Sequence, residues 1–190
     1  MAARLLGGVL IGGRSRRMGR PKQFVEIGET TMIERVVQAL SEEVDEVVLL
    51  GAGPIPAALG GLQRKADADG CRGPIAGILG AMRAEPQAAW VMAPCDLPLL
   101  RPEAVRWLVN RRSFGTWAVF PSFDGFVEPL LAIYEPDARA LLETAAAAGE
   151  HALYRLARNP RAATAEPPES LKRCWFNANT PQEIAALRDV

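Results

Sequence analysis

The sequence predicts an α/β protein: one three-layer α/β/α domain, residues 1–190, on a mostly parallel sheet. Three observations carry that expectation. Apolar runs of strand length, "LLGGVLI" (5–11), "DEVVLLG" (45–51) and "AAWVMAP" (88–94), recur along the chain. They are apolar throughout rather than alternating, as in strands buried on both faces. Helical patterns separate them, and 190 residues with 49 % apolar content fill one domain while being short for two.

The elements follow in order. The first strand carries Gly7 and Gly8, which weaken a strand unless something must approach closely. Thr30 or Thr31 can cap "MIERVVQALSEE", whose Met32, Ile33, Val36, Val37 and Leu40 share a helical face. "GPIAGILGAMRA" (73–84) reads as a glycine-tolerant packed helix. "RPEAVRWLVNRR" (101–112) has Pro early and helical spacing of Val105, Leu108 and Val109. "TWAVFPS" and "VEPLLAIYE" are strands of the second half, and "PDARALLETAAAAG" is a helix closed by Gly149. "AEPPES" (165–170) is a mobile surface loop. "NTPQEIAALRDV" is a final helix opened by a capping residue and Pro.

Composition excludes several roles. Lys plus Arg equals Asp plus Glu at 22 each, so no broad basic face for nucleic acid is expected. Cys71, Cys95 and Cys174 are far apart and form no CxxC pair, which fits packed thiols in a reducing compartment. The start "MAARLLGGVLIGG" has a signal-like apolar run, but it is short, glycine-broken and without an A-x-A site. No apolar stretch approaches the roughly 20 residues that span a bilayer. A cytoplasmic protein without membrane or nucleic-acid partners is expected.

The first strand runs into Gly12 and Gly13, and five cations follow: Arg14, Arg16, Arg17, Arg20 and Lys22. A glycine turn at a sheet's carboxyl edge is a ligand-binding place, since backbone N–H groups there reach phosphate oxygens with no Cβ between. The loop is neither a P-loop nor a GxGxxG fingerprint. Its alternative is a solvated basic loop. Asp96 in "APCDLPLL" follows the third buried strand, at the same edge if the strands are neighbours. A carboxylate there suits Mg²⁺ bridging phosphates; alone it also suits a helix cap or a turn before Pro98. Asn177 and Asn179 offer amide groups two residues apart on an extended segment, so they point the same way. Asn179 or Thr180 can also cap the last helix, which makes Asn177 the better functional candidate. Cys95 lacks a sequence partner for nucleophilic work and is expected to pack. His151, the only histidine, receives no catalytic role.

"LIGGRSRRMGRPK" fits L-x-G-G-x-S-x-R-M-G-x-x-K at Leu10, Gly12, Gly13, Ser15, Arg17, Met18, Gly19 and Lys22, and so resembles the molybdenum cofactor guanylyltransferase family. Ile11 stands where that family usually has Ala. "CDLP", "GPIAG", "VEPLLAIY" and "CWFNANTPQEIAAL" resemble its other elements, so the likeness covers residues 8 to 187, with none in 51–66 and 159–172. The resemblance implies a Rossmann-like, glycosyltransferase-A-like nucleotidyltransferase fold. It implies transfer of GMP from GTP to molybdopterin, with Mg²⁺ on Asp96. Arg17, Lys22 and Asp96 are then catalytic. Leu10, Gly12, Gly13, Ser15, Lys22, Asp67, Gly73 and Asp96 bind the nucleotide. Asp69 competes with Asp67 for its position. Glu128, Asn177 and Asn179 face the acceptor. Other molybdenum cofactor biosynthesis or acceptor proteins are implied partners. The double glycine disfavours the siblings that use CTP or another phosphate acceptor. Intact Lys22 and Asp96 disfavour a non-catalytic nucleotide-binding homologue.

Overall fold

The computed structural model describes residues 3–11 and 21–187. In chain order these hold β1 (Leu5–Leu10), the short pair β2 (Glu26–Ile27) and β3 (Thr30–Thr31), α1 (Met32–Ser41), β4 (Glu46–Leu50) and β5 (Gln63–Lys65). Then come α2 (Pro74–Ala84), β6 (Ala89–Pro94), α3 (Pro102–Val109), β7 (Ala118–Phe123), β8 (Phe126–Val127) and β9 (Ala132–Tyr134). The chain continues through α4 (Ala138–Ala147), β10 (Ala162–Ala165), α5 (Glu169–Lys172) and α6 (Pro181–Ala185). Among the described residues the main sheet has the order β10-β7-β9-β6-β1-β4-β5, with β8 beside β7. β1 lies between β4 and β6, parallel to both; β9 is antiparallel to β6 and β7.

Both faces of the sheet are covered, as uniformly apolar strands require. Val9, Val91 and Ile133 pack toward α1 and α3 in one cluster. Leu6, Val48, Trp90, Met92 and Tyr134 pack toward α2 and α4 in the other. α1 starts where Thr31 accepts from the Glu34 backbone N–H while the Glu34 carboxylate accepts from the Thr31 N–H, a reciprocal cap. Of the two candidate caps, Thr31 is therefore the one used. The glycines of β1 make room for neighbouring side chains. A Cβ on Gly8 would sit 2.7 Å from both Leu50 Cδ1 and Met92 Sδ, and one on Gly7 3.2 Å from Val44 Cγ2.

"VEPLLAIYE", expected as one strand, is two. An Asp124-Gly125 turn, with φ of 48° and 83°, folds β8 back on β7, and Glu128-Pro129-Leu130 then crosses to β9. "AEPPES", expected as a loop throughout, begins in β10 and ends in α5. The last helix is capped by Thr180 with Glu183, not by Asn179, and is shorter than expected. Residues 188–190 of that expectation lie outside the described residues. β5 and β10 lie in the two stretches without family likeness. No described helix is long and apolar enough to cross a membrane.

The helical glycines of α2 have a packing role. The Ala68 N–H donates to the Ala76 carbonyl at 2.9 Å, so the 66–68 backbone lies against the helix. A Cβ on Gly80 would stand 2.1 Å from the Ala66 carbonyl oxygen, where nothing flexible can yield. Gly80→Ala is therefore expected to destabilise the fold by about 2–3 kcal/mol despite alanine's better helix propensity. That is a fall of roughly 5–10 °C in Tm by calorimetry. An unchanged Tm would show that the 66–68 segment is not seated on α2.

Candidate active site

Register places the site. Leu10 of β1 stands beside Leu50 of β4 and Pro94 of β6, so these three parallel strands end level. Ile11 N–H donates to Leu50 O at 3.0 Å, and Cys95 N–H to Leu10 O at 3.2 Å. Both loops thus leave the sheet together, and Asp96 stands two residues past β6. This is the carboxyl edge of the sheet, where ligands bind in open α/β folds.

Lys22 reaches the same point from a short 3₁₀ turn, 22–24. A small core fixes that turn: Val25, Ile27 and Met32 pack with Ala178, Ile184 and Leu187. The Ala178 N–H donates to the Asp96 carbonyl at 3.0 Å, which lays the 177–179 segment alongside. As a result Lys22 Nζ donates to Asp96 Oδ2 and to Asn179 Oδ1, each at 2.5 Å. The Lys22 and Asp96 side chains are only 20 % and 14 % exposed, so their attraction is little screened by water. Asp96 Oδ1 is buried and, among the described residues, has no hydrogen-bond partner. Asp96 caps no helix; α3 begins after Arg101, without a side-chain cap.

A cavity of about 580 Å³ opens beside this cluster, a size usual for small-molecule sites. Leu10, Leu50, Pro94 and Leu130 give it apolar walls. Lys22, Asp67, Gly73, Asp96, Asn177 and Asn179 also line it. The choice between Asp67 and Asp69 has a geometric basis. The α2 glycines hold the 66–68 backbone so that Asp67 Oδ1 lies 3.4 Å from where a Gly77 Cβ would be, and Asp69 is not among the lining residues. Gly73 enters α2 with φ +73°, a conformation that side chains other than glycine's rarely adopt. Gly12, Gly13, Ser15 and Arg17 lie outside the described residues, as do Arg14, Arg16 and Arg20.

Glu128 lines a second hollow, of about 950 Å³, with Phe126, His151, Tyr154 and Arg158. Pro74 and Leu130 stand in the walls of both spaces. Burial pushes the Glu128 carboxyl above its ordinary range. Of the two asparagines, Asn179 rather than Asn177 makes the side-chain contact with Lys22. Sequence reasoning missed Gln23, a buried side chain in the wall whose Nε2 donates to Ile11 O at 2.8 Å. Its position next to Lys22 was the one available signal. Cys95 is a packed thiol, pushed up to about 12 mainly by burial and further by nearby Asp96. It stays protonated at neutral pH and cannot serve as a nucleophile.

The donor set fits a hard divalent cation. Asp96 offers a buried carboxylate oxygen without a hydrogen-bond partner among the described residues. Among the described residues no three or more His, Cys, Asp or Glu side chains are grouped so as to hold a metal ion by themselves. Mg²⁺ characteristically takes one or two carboxylates and completes its shell with phosphates and water.

A mostly parallel sheet with a lysine, a carboxylate and an apolar slot at its carboxyl edge has the ligand site of an open α/β protein. Comparison with known proteins makes the class specific. The model of the MobA-like NTP transferase domain matches residues 7–165, and the chain belongs to that family. It is a nucleotidyltransferase, as the sequence motifs implied. A probable molybdenum cofactor guanylyltransferase of Pelotomaculum thermopropionicum is 30 % identical over 96 % of this chain and 91 % of its own. The molybdenum cofactor guanylyltransferase of Rhizobium meliloti is 33 % identical over 93 % and 87 %. Among solved structures, molybdopterin-guanine dinucleotide biosynthesis protein A of Archaeoglobus fulgidus superposes with a TM-score of 0.78 at 26 % identity, covering 97 % of each chain.

Proposed function

We propose that this enzyme transfers GMP from GTP to the phosphate of molybdopterin, in the cytoplasm, releasing pyrophosphate and a guanine dinucleotide form of the molybdenum cofactor. The names of its relatives support the substrates. The observation that carries the chemistry is the Lys22–Asp96 pair, whose second carboxylate oxygen is buried and unpartnered among the described residues.

In this reading an oxygen of the acceptor phosphate attacks the α-phosphorus of GTP. The bond from that phosphorus to the β-phosphate bridge breaks, and the electron pair leaves with pyrophosphate. The acceptor is already an anion, so no general base is needed. The task is to bring anions together and offset their charge. Lys22 and Arg17 do so at the α-phosphate and the leaving group, and the Gly12, Gly13 and Ser15 backbone holds phosphate oxygens. Asp96 would hold Mg²⁺, which would supply positive charge to neutralise the phosphates. Leu10, Asp67 and Gly73 bound the base and ribose. Glu128 and Asn177 face the acceptor, and the second hollow, which Glu128 lines, offers it room.

Thermal shift tests the nucleotide. Bound GTP at 100 times its Kd, with Mg²⁺, is expected to stabilise the protein by about 2.7 kcal/mol, and CTP at equal concentration by less. A larger shift with CTP would overturn the guanine assignment. Pyrophosphate release from GTP with molybdopterin tests turnover directly.

A further inference from the structure

Asn179 grips Lys22, and we propose that it is a positioning residue for that ammonium group, not a contact for the acceptor. The proposal rests on the reading of Lys22 as the cation that meets nucleotide phosphate. An amide side chain has one acceptor oxygen and one donor nitrogen. In Asn179 the oxygen accepts from Lys22 Nζ, and Nδ2 points to the Asn177 carbonyl at 3.4 Å. A flipped amide would set an NH₂ group against the ammonium, so Lys22 fixes its orientation.

The residue itself is held from both sides. Its backbone N–H donates to Glu183 Oε2 at 2.6 Å, and the same oxygen accepts from Thr180 N–H at 2.9 Å. The preceding Ala178 N–H is tied to the Asp96 carbonyl. The α6 cap and the Asp96 loop therefore set where Asn179 stands, and Asn179 sets where the ammonium stands, 157 residues earlier in the chain. The neutrality of the amide also matters. A carboxylate at 179 would hold Lys22 equally well but cancel the charge that phosphate requires, whereas an amide holds the cation and leaves its charge available.

Two measurements test this, and the first needs no turnover. Trace acetylation of the nucleotide-free protein, read by mass spectrometry, reports how firmly each lysine is held. Asn179→Ala is expected to raise Lys22 labelling about threefold or more, while Lys65 and Lys172 stay unchanged. Asn179→Asp should not raise it. Should Asn179→Ala fold poorly, Glu183→Gln keeps the amide, loosens its anchor, and is expected to raise Lys22 labelling by a smaller factor. Unchanged labelling in the folded variant overturns the proposal whatever the protein catalyses. The second measurement is a double-mutant cycle on pyrophosphate release. Asn179→Ala is expected to cost about tenfold with Lys22 present and less than about twofold in a Lys22→Ala background. Equal losses in both backgrounds, or a rise confined to the acceptor KM, would mean that Asn179 meets substrate and would overturn the proposal. Absence of turnover in the unaltered protein would sink the functional reading alone, since labelling still decides the position of Lys22.

Discussion

Asp96→Asn is expected to lose turnover by a factor of about a hundred to a thousand, or ~3–4 kcal/mol of transition-state stabilisation, while the fold survives. The substitution is nearly isosteric. Its remaining carbonyl oxygen can still accept from Lys22 Nζ, and the backbone bond from Ala178 to the residue 96 carbonyl is untouched. What disappears is the negative charge, together with the buried Oδ1 that has no partner among the described residues. An NH₂ group in its place is a donor and cannot ligate a hard cation. Mn²⁺ binding in the presence of GTP, followed by electron paramagnetic resonance, should therefore weaken in parallel with pyrophosphate release. The melting temperature should stay within a few degrees, because no apolar packing is lost. Turnover within about fivefold of the unaltered protein, or unchanged Mn²⁺ affinity, would remove Asp96 from the metal role.

Much of this was legible in the sequence because it is local. Uniform apolar runs gave β1, β4 and β6, and one strand end after another gave Leu10, Lys22 and Asp96 as neighbours at a common edge. Caps gave the start of α1 to within a residue. The failures have physical causes of their own. β5, Gln63–Lys65, is a short polar edge strand with half its hydrogen bonds to satisfy, so neither length nor apolarity marks it. β8 is hidden in the apolar run that continues into β9, and the signal that separates them is local: "DG" between two phenylalanines, a hairpin turn. The contact made by Asn179 was not legible. Local sequence allowed either Asn179 or Thr180 to cap the last helix; Thr180 supplies the cap, and Asn179 instead meets a lysine at the far end of the chain. No local pattern encodes a contact between residues 157 positions apart. Likewise Gly80 looks like a tolerated helix glycine until the Ala66 carbonyl is seen against it.

Lys22→Ala is expected to lose turnover about as severely as Asp96→Asn, roughly a hundred- to a thousandfold, and Lys22→Arg should rescue little of it. The reasoning is geometric. One nitrogen serves Asp96 Oδ2 and Asn179 Oδ1, both at 2.5 Å, so the site is shaped for a compact ammonium. A guanidinium is planar and bulkier, and its fork suits paired oxygens of one group rather than single oxygens of two residues. It would satisfy one partner and push out the other, displacing the charge from where the proposed mechanism needs it, at the α-phosphate and leaving group. The ammonium also lies in a space from which most water is excluded, where charge neutralisation counts for more than at the surface. Steady-state pyrophosphate release over a range of GTP concentrations separates the outcomes. A fall chiefly in kcat means that Lys22 acts on the transition state; a rise in KM alone means that it only helps capture the triphosphate. Near-normal turnover in Lys22→Ala would remove Lys22 from the chemistry, although among the described residues it is the cation that donates directly to the Asp96 carboxylate.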